Sequence, residues 1–222
     1  MRRASEAVMR CAAALLALAV CSGSVWAAAC TRPVYLTFDT GHMGVAPLIA
    51  EVLQRQQVSV TFFAAQEKTR EGDGSLGSHW AAWWKAQAQN GHSFASHTYD
   101  HAYWRADLPQ QRFRIRPSAG AQAGQDLNWS AQDYCDNLRQ AAARLQTLTG
   151  QAPLPLFRAP GGKTSPALLR AAKACGFEHV GWADAGFLGG LRFSRGAILA
   201  RERRAASSCW DLLQTRIDRI FQ

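Results

Sequence analysis

Thr37-Phe38-Asp39-Thr40-Gly41-His42 follows an apolar run, and Ser96-His97-Thr98-Tyr99-Asp100-His101 lies about sixty residues further on. The first stretch reads as the end of a buried strand, Val34 to Phe38, that delivers a carboxylate. The second offers two imidazoles four residues apart. That spacing lets both reach one ion if the backbone makes a helical turn. A third stretch, Phe157-Arg158-Ala159-Pro160-Gly161-Gly162, places a cation at the end of another strand. A carboxylate beside a bound divalent metal can drive water onto an amide or ester. Taken singly, each motif has a plainer reading: an Asp that caps a turn, or two histidines in a polar turn.

Around these stretches apolar segments alternate with helix-like ones, which argues for an α/β architecture. Val45 to Gln56 sets Leu48, Val52 and Leu53 on one face and suits a helix; Val58 to Ala65, β-branched and aromatic, suits a strand. Glu71-Gly72-Asp73-Gly74 breaks the chain, and a Trp-rich helix is expected over Ser78 to Gln89. Trp80, Trp83 and Trp84 have the spacing of core residues. Gly91 to Ser96 reads as the short strand that delivers His97. From Tyr103 to Trp129 no period stands out, and this stretch reads as an insertion or long loop. Ser130 and Asp133 form an acidic capping box ahead of a helix that Gly150 ends. Leu154 to Phe157 carries Arg158, Ser165 and Pro166 open a further helix, and Phe177 to Trp182 forms another strand ending near Asp184. This is the rhythm of a distorted β/α barrel, which gathers chemistry at the C-terminal ends of its strands. Asp39, His97, Arg158 and Asp184 all fall there.

In order, the three motifs resemble those of the polysaccharide deacetylase family, the NodB homology domain of carbohydrate esterase family four: T-F-D-D-G, H-[ST]-x-x-H and R-x-P-x-G. The resemblance runs from about Val34 to Leu188. It implies a distorted (β/α) barrel of the NodB-like type, which the tail after Gly189, lacking closing strands, leaves incomplete at its C-terminal end. It also implies a divalent metal, zinc first with cobalt or nickel as alternatives, held by His97 and His101. Asp39 matches the family's general base, and Arg158 the residue that holds it. Trp182-Ala183-Asp184 matches a fourth motif loosely, with Asp184 bracing Arg158 from the other side. Pro160 and Gly161 fall in the substrate-binding turn. Trp104 and Trp129 are the candidates for stacking on sugar rings.

Two departures limit the match. Thr40 stands where the family has its metal-binding second Asp, and a hydroxyl is a poor zinc ligand; His42, or Asp39 itself, is the candidate replacement. Arg201 stands where a terminal His would act as general acid, and no His follows His179. Residues 190–222 turn rich in Arg, Ser and Ala and read as foreign to the domain, the kind of tail a reading-frame change produces.

Composition narrows the classes. Of the net charge of +9, two-thirds sits in the leader and the tail, and no dense basic stripe of the kind nucleic acid demands is present. Arg2, Arg3 and Arg10 precede the apolar stretch Cys11 to Val20, a secretory signal with cleavage after Ala27. Lipid anchoring at Cys30 is the second reading. The expected layout is thus a signal over 1–27, the domain over 28–189 and the tail over 190–222. The protein would be periplasmic or secreted, without a transmembrane segment in the mature chain. Cys30, Cys135, Cys175 and Cys209 remain after the leader, and an exported chain can pair them, with connectivity open. Three functions stand at this point: N-deacetylation of an N-acetylated polysaccharide, hydrolysis of a small imide or ureide, or carbohydrate binding by a relic that has lost catalysis.

Overall fold

A computed structural model describes residues 35–182. In that range the chain forms strands β1 (Thr37–Asp39), β2 (Thr61–Ala64), β3 (Ser93–Ser96), β4 (Ala102–Leu108), β5 (Arg112–Pro117), β6 (Leu127–Ser130), β7 (Leu156–Phe157) and β8 (Glu178–His179). Its α-helices are α1 (Ala46–Gln56), α2 (Ala81–Gln89), α3 (Ala131–Thr149) and α4 (Pro166–Ala174). The expected leader, Asp184, Arg201 and the Arg-rich tail lie outside the described residues.

Five strands form one parallel sheet in the order β1-β2-β3-β7-β8. The helices that connect them supply the crossovers that parallel pairing requires. Parallel strands are covered on both faces, so they read as continuous apolar runs; Phe62, Phe63, Ala64, Phe94 and Ala95 are all buried. Among the described residues the sheet stays open, an incomplete, distorted β/α barrel. The expected strands are trimmed toward the residues whose backbones pair, Val58 to Ala65 becoming Thr61–Ala64 and Phe177 to Trp182 becoming Glu178–His179, while the first, expected to end at Phe38, runs on through Asp39.

Two apolar clusters back the sheet. The first joins Phe62, Phe94, Leu53, Leu145 and Trp84. Trp84 is fully buried and donates its indole N–H to the Ser75 carbonyl at 2.7 Å, so the Trp-rich helix serves the core, as its spacing predicts. The second joins Phe113, Ile115, Tyr134, Leu138, Phe157 and Leu168. Helix α3 opens with the expected capping box: the Ser130 hydroxyl accepts from Asp133 N, and the Asp133 carboxylate accepts from Ser130 N. Gly150 closes it in the left-handed region, where a residue without Cβ pays no steric penalty.

The stretch from Tyr103 to Trp129 is not a loop. It folds as a three-stranded antiparallel sheet in the order β4-β5-β6. The signal lies in Arg112-Phe113-Arg114-Ile115-Arg116-Pro117, a strict alternation in which every second residue is buried. Three arginines on the outer face disguise a half-buried strand as a polar segment. Its register places Trp129 opposite Phe113 and Trp104 opposite Ile115. Both indoles therefore lie on the face turned to the second cluster, against which they pack half-buried. The expected sugar platform of Trp104 and Trp129 is thus part of the sheet's packing.

Cys135 and Cys175 form a disulfide across 40 residues, tying the N-terminal part of α3 to the residue that caps α4. Closing a loop of that length restricts the unfolded chain by about 4 kcal/mol. Replacing both cysteines with serine should lower the unfolding free energy by roughly that amount in urea denaturation. A change under about 1 kcal/mol would show that the two helices are held by packing alone.

Candidate active site

The carboxyl ends of the parallel strands carry the site, and backbone bonds continue past each strand to fix it. Thr40 N donates to Phe63 O, His97 N to Ala64 O, Arg158 N to Ser96 O and Val180 N to Phe157 O, all within 3.0 Å. Asp39, His97 and Arg158 thus leave three strands at one level, as the barrel argument requires.

Arg158 is 2% exposed. Its Nη1 donates to Asp39 Oδ1 at 2.7 Å, its Nε donates to Val180 O at 3.1 Å, and its guanidinium lies 4.2 Å from the centre of the Phe63 ring. Burial raises the Asp39 carboxyl above its ordinary value, while Arg158 pulls it back by charge and by hydrogen bond. The outcome is a fixed carboxylate that is a better proton acceptor than a free one.

His97 and His101 do converge, with ring centres 4.9 Å apart. The link between them is a tight turn rather than the helical turn that the spacing suggests. Thr98 (φ 60°) and His101 (φ 48°) both sit in the left-handed region. For a β-branched Thr this is costly, about 1–3 kcal/mol, and such strain persists only where the surroundings over-determine it. The surroundings do so here. Thr98 Oγ1 accepts from Ala102 N at 2.7 Å, and Gln66 N donates to Tyr99 O at 2.7 Å. The buried Asn137 of α3 accepts from Asp100 N at 3.1 Å and donates to Asp100 Oδ2 at 2.7 Å.

Both rings are neutral and aimed. Burial drives His97 down to about 4, and burial with the neighbouring His97 drives His101 to about 4. The His97 Nδ1 lies 2.8 Å from the Arg158 carbonyl, which can only accept, so Nδ1 carries the proton and Nε2 keeps its lone pair. That lone pair faces Asp39 Oδ2 at 3.7 Å. Two electron-rich groups facing each other invite a cation rather than form an ion pair. His101 likewise engages Ser118 Oγ through Nδ1. Two neutral imidazoles anchored through Nδ1 suit a divalent metal. Among the described residues, however, no three His, Cys, Asp or Glu side chains are grouped to hold one.

His42 is not gathered into this pair. Its Nδ1 accepts from Gly44 N at 3.0 Å, and the residue lines an apolar cleft with Phe38, Ile49 and Trp83. Pro160 is buried in the turn after Arg158. Gly161 (φ 63°) lies against Tyr103, and a Cβ there would stand 2.8 Å from the ring. Tyr103 packs edge-on to His101 at 4.9 Å. Gly162 similarly abuts Trp182, whose ring is 5.2 Å from the Arg158 guanidinium.

The sequence reading also passed over Glu67 and Asn137. Glu67 follows β2 at the same end of the sheet as Asp39, and the strand-end criterion that found Asp39 would have reached it. Burial pushes its carboxyl up to about 7; a hydrogen bond with Thr40 opposes that rise and the charge of Asp39 adds to it. Asn137 carries no such mark, because a polar residue on a helix declares its partner only in three dimensions.

The family profile for polysaccharide deacetylases matches residues 27–180. A chitooligosaccharide deacetylase from Azorhizobium caulinodans is 24% identical over 150 residues, covering 67% of this chain and 57% of that protein. The chain thus spans little more than half the length of this curated relative. Among solved structures, a family 4 acetyl xylan esterase from Clostridium thermocellum with a bound cobalt ion is 18% identical at a TM-score of 0.52. It covers 78% of this chain and 68% of that one. A mutant of a family 4 pseudoenzyme with restored enzymatic activity reaches a TM-score of 0.56 at 19% identity, covering 85% of this chain and 62% of that one. These two likenesses concern the fold.

Replacing Asn137 with Ala should cost about 2 kcal/mol, since it removes two part-buried hydrogen bonds to Asp100. Urea denaturation measures this, and unchanged stability would mean that the His97–His101 turn is held by other contacts.

Proposed function

The chain belongs to the polysaccharide deacetylase family, and from that premise we propose that it is a metal-dependent hydrolase that removes acetyl groups from an N-acetylated polysaccharide or oligosaccharide. The observation that carries this reading is the Asp39–Arg158 pair set 3.7 Å from the free Nε2 of a neutral His97. His97 and His101 would hold the divalent ion, zinc first, with cobalt or nickel as alternatives. When bound, the ion would acidify water and polarise the acetamide carbonyl. Asp39 accepts the proton of the attacking water. Arg158 keeps that carboxylate in place and ionised. Oxygen bonds to the acyl carbon, the C–N bond breaks, acetate leaves, and the proton passes to the amine. Tyr103, edge-on to His101 and against Gly161, offers a ring for contact with a sugar.

The disulfide supports an exported location, since such bonds persist in oxidising compartments, and the basic, then apolar, leader agrees with it. Among the described residues no helix is long and apolar enough to cross a membrane. The second reading, a sugar-binding relic, is favoured by Thr40 and by the lack, among the described residues, of a grouped third ligand.

Acetate release from N-acetylglucosamine oligomers, measured with added zinc, cobalt or nickel, separates the two readings. Wild-type protein should release acetate, and Asp39→Asn should lower the rate by at least about a hundredfold. Sugar binding with no acetate release under any metal would establish the relic.

A further inference from the structure

The three-stranded sheet turns one face to the second apolar cluster and exposes the other. Strand β5 lies at its centre, and there Arg112, Arg114 and Arg116 alternate with the buried Phe113, Ile115 and Pro117. Residues two apart on a strand share a face at a spacing of about 7 Å, so the three arginines form one row. The row is not a device for blunting a sheet edge, because β5 is paired on both sides.

Little in the fold answers these charges. Arg116 meets Asp126 at 3.8 Å, and Arg112 donates to the Asn128 carbonyl. Arg114 stands between Ala106 and Asn128, neither of which carries a charge. Asp107 lies opposite Phe113, on the inner face, where it accepts from Trp104 Nε1 at 3.0 Å and from the Ser165 hydroxyl at 2.6 Å.

The row leads to the candidate active site. Tyr103 lies opposite Arg116 and so shares its face, and its ring is edge-on to His101 at 4.9 Å. The exposed Arg105 sets its guanidinium 5.4 Å from the centre of the same ring. The face thus runs from the histidine pair, over Tyr103, to Arg112. A row of cations suits a polymer with repeated anions, and a guanidinium takes a carboxylate through two parallel hydrogen bonds. Nucleic acid fits less well, since so short a row neutralises few phosphates and a single ring stacks few bases.

We propose that the outer face of β4-β5-β6 binds an N-acetylated polysaccharide that carries carboxylates. Arg112, Arg114 and Arg116 hold its acidic groups, and the chain reaches the candidate site past Tyr103. This names a substrate class for the hydrolase reading above, and rests on that reading for the placing of the N-acetyl group.

Calorimetric titration with two oligomers of equal length tests it: one alternates N-acetylglucosamine with glucuronic acid, the other is N-acetylglucosamine alone. Acetate release from both is measured in parallel with added zinc, cobalt or nickel. An exposed ion pair multiplies affinity by about two- to threefold, so wild type should prefer the acidic oligomer by at least about tenfold at low salt. The preference should shrink as salt rises. Arg112→Gln, Arg114→Gln and Arg116→Gln together, with folding checked by melting curves, should bring it below about threefold. Arg114→Gln alone, whose neighbours carry no charge, should lower it by about two- to threefold and decides the matter if the triple variant does not fold. Equal affinity of wild type for the two oligomers, a preference that survives in the folded variants, or single-stranded DNA bound as tightly as the acidic oligomer overturns the proposal. Acetate release without the preference overturns this face and leaves the hydrolase standing. A preference lost with the arginines, but no acetate under any metal, supports the face and overturns the hydrolase.

Discussion

One buried guanidinium organises this molecule. Arg158 grips Asp39 on β1, bonds Val180 just past β8, and through its own backbone joins β3 twice, at Ser96 O and at the His97 ring. Four strands of the sheet therefore meet at a single residue. A cation 2% exposed is tolerated only when charge and hydrogen bonds answer it. Here the answer is the carboxylate to which the proposed chemistry assigns the base's role. The carbonyl of the same residue fixes the tautomer of His97, so one residue sets both the Asp39 carboxylate and the free imidazole nitrogen.

The second constraint is the turn from His97 to His101. Its left-handed Thr98 and His101 are held by α3, β4 and the segment after β2, which come from distant parts of the chain. Strain at a site that is braced from several directions gives preorganisation: the imidazoles are placed by folding and need not be placed by the ligand. It also ties function to fold, because loosening α3 at Asn137 reaches the ring pair through Asp100.

The strands that bear Asp39, His97 and Arg158 were legible because parallel, doubly covered strands have a simple apolar signature and a side chain of obvious chemistry at the end. The capping box at Ser130 and the terminator Gly150 were legible for a similar reason, since local hydrogen bonding dictates them. The β4-β5-β6 sheet was not, because arginines on its outer face masked the alternation of Phe113 and Ile115. Trp104 and Trp129 were misplaced with it, since the face an indole occupies depends on register. His42 was a candidate by closeness in sequence alone, and its ring turns to its own loop. Glu67 needed the knowledge that β2 ends beside β1, which is a fact of pairing. Asp184 and Arg201 lie outside the described residues.

The central claim is that His97 and His101 hold a divalent ion beside the Asp39–Arg158 pair. Its most direct test is a crystal structure of the cobalt-loaded protein, with anomalous differences collected at the cobalt edge. One strong peak within bonding reach of Nε2 of both histidines, with Asp39 still on Arg158, is the expected result. A well-ordered site with no peak there, or cobalt bound at His42 instead, would contradict the account.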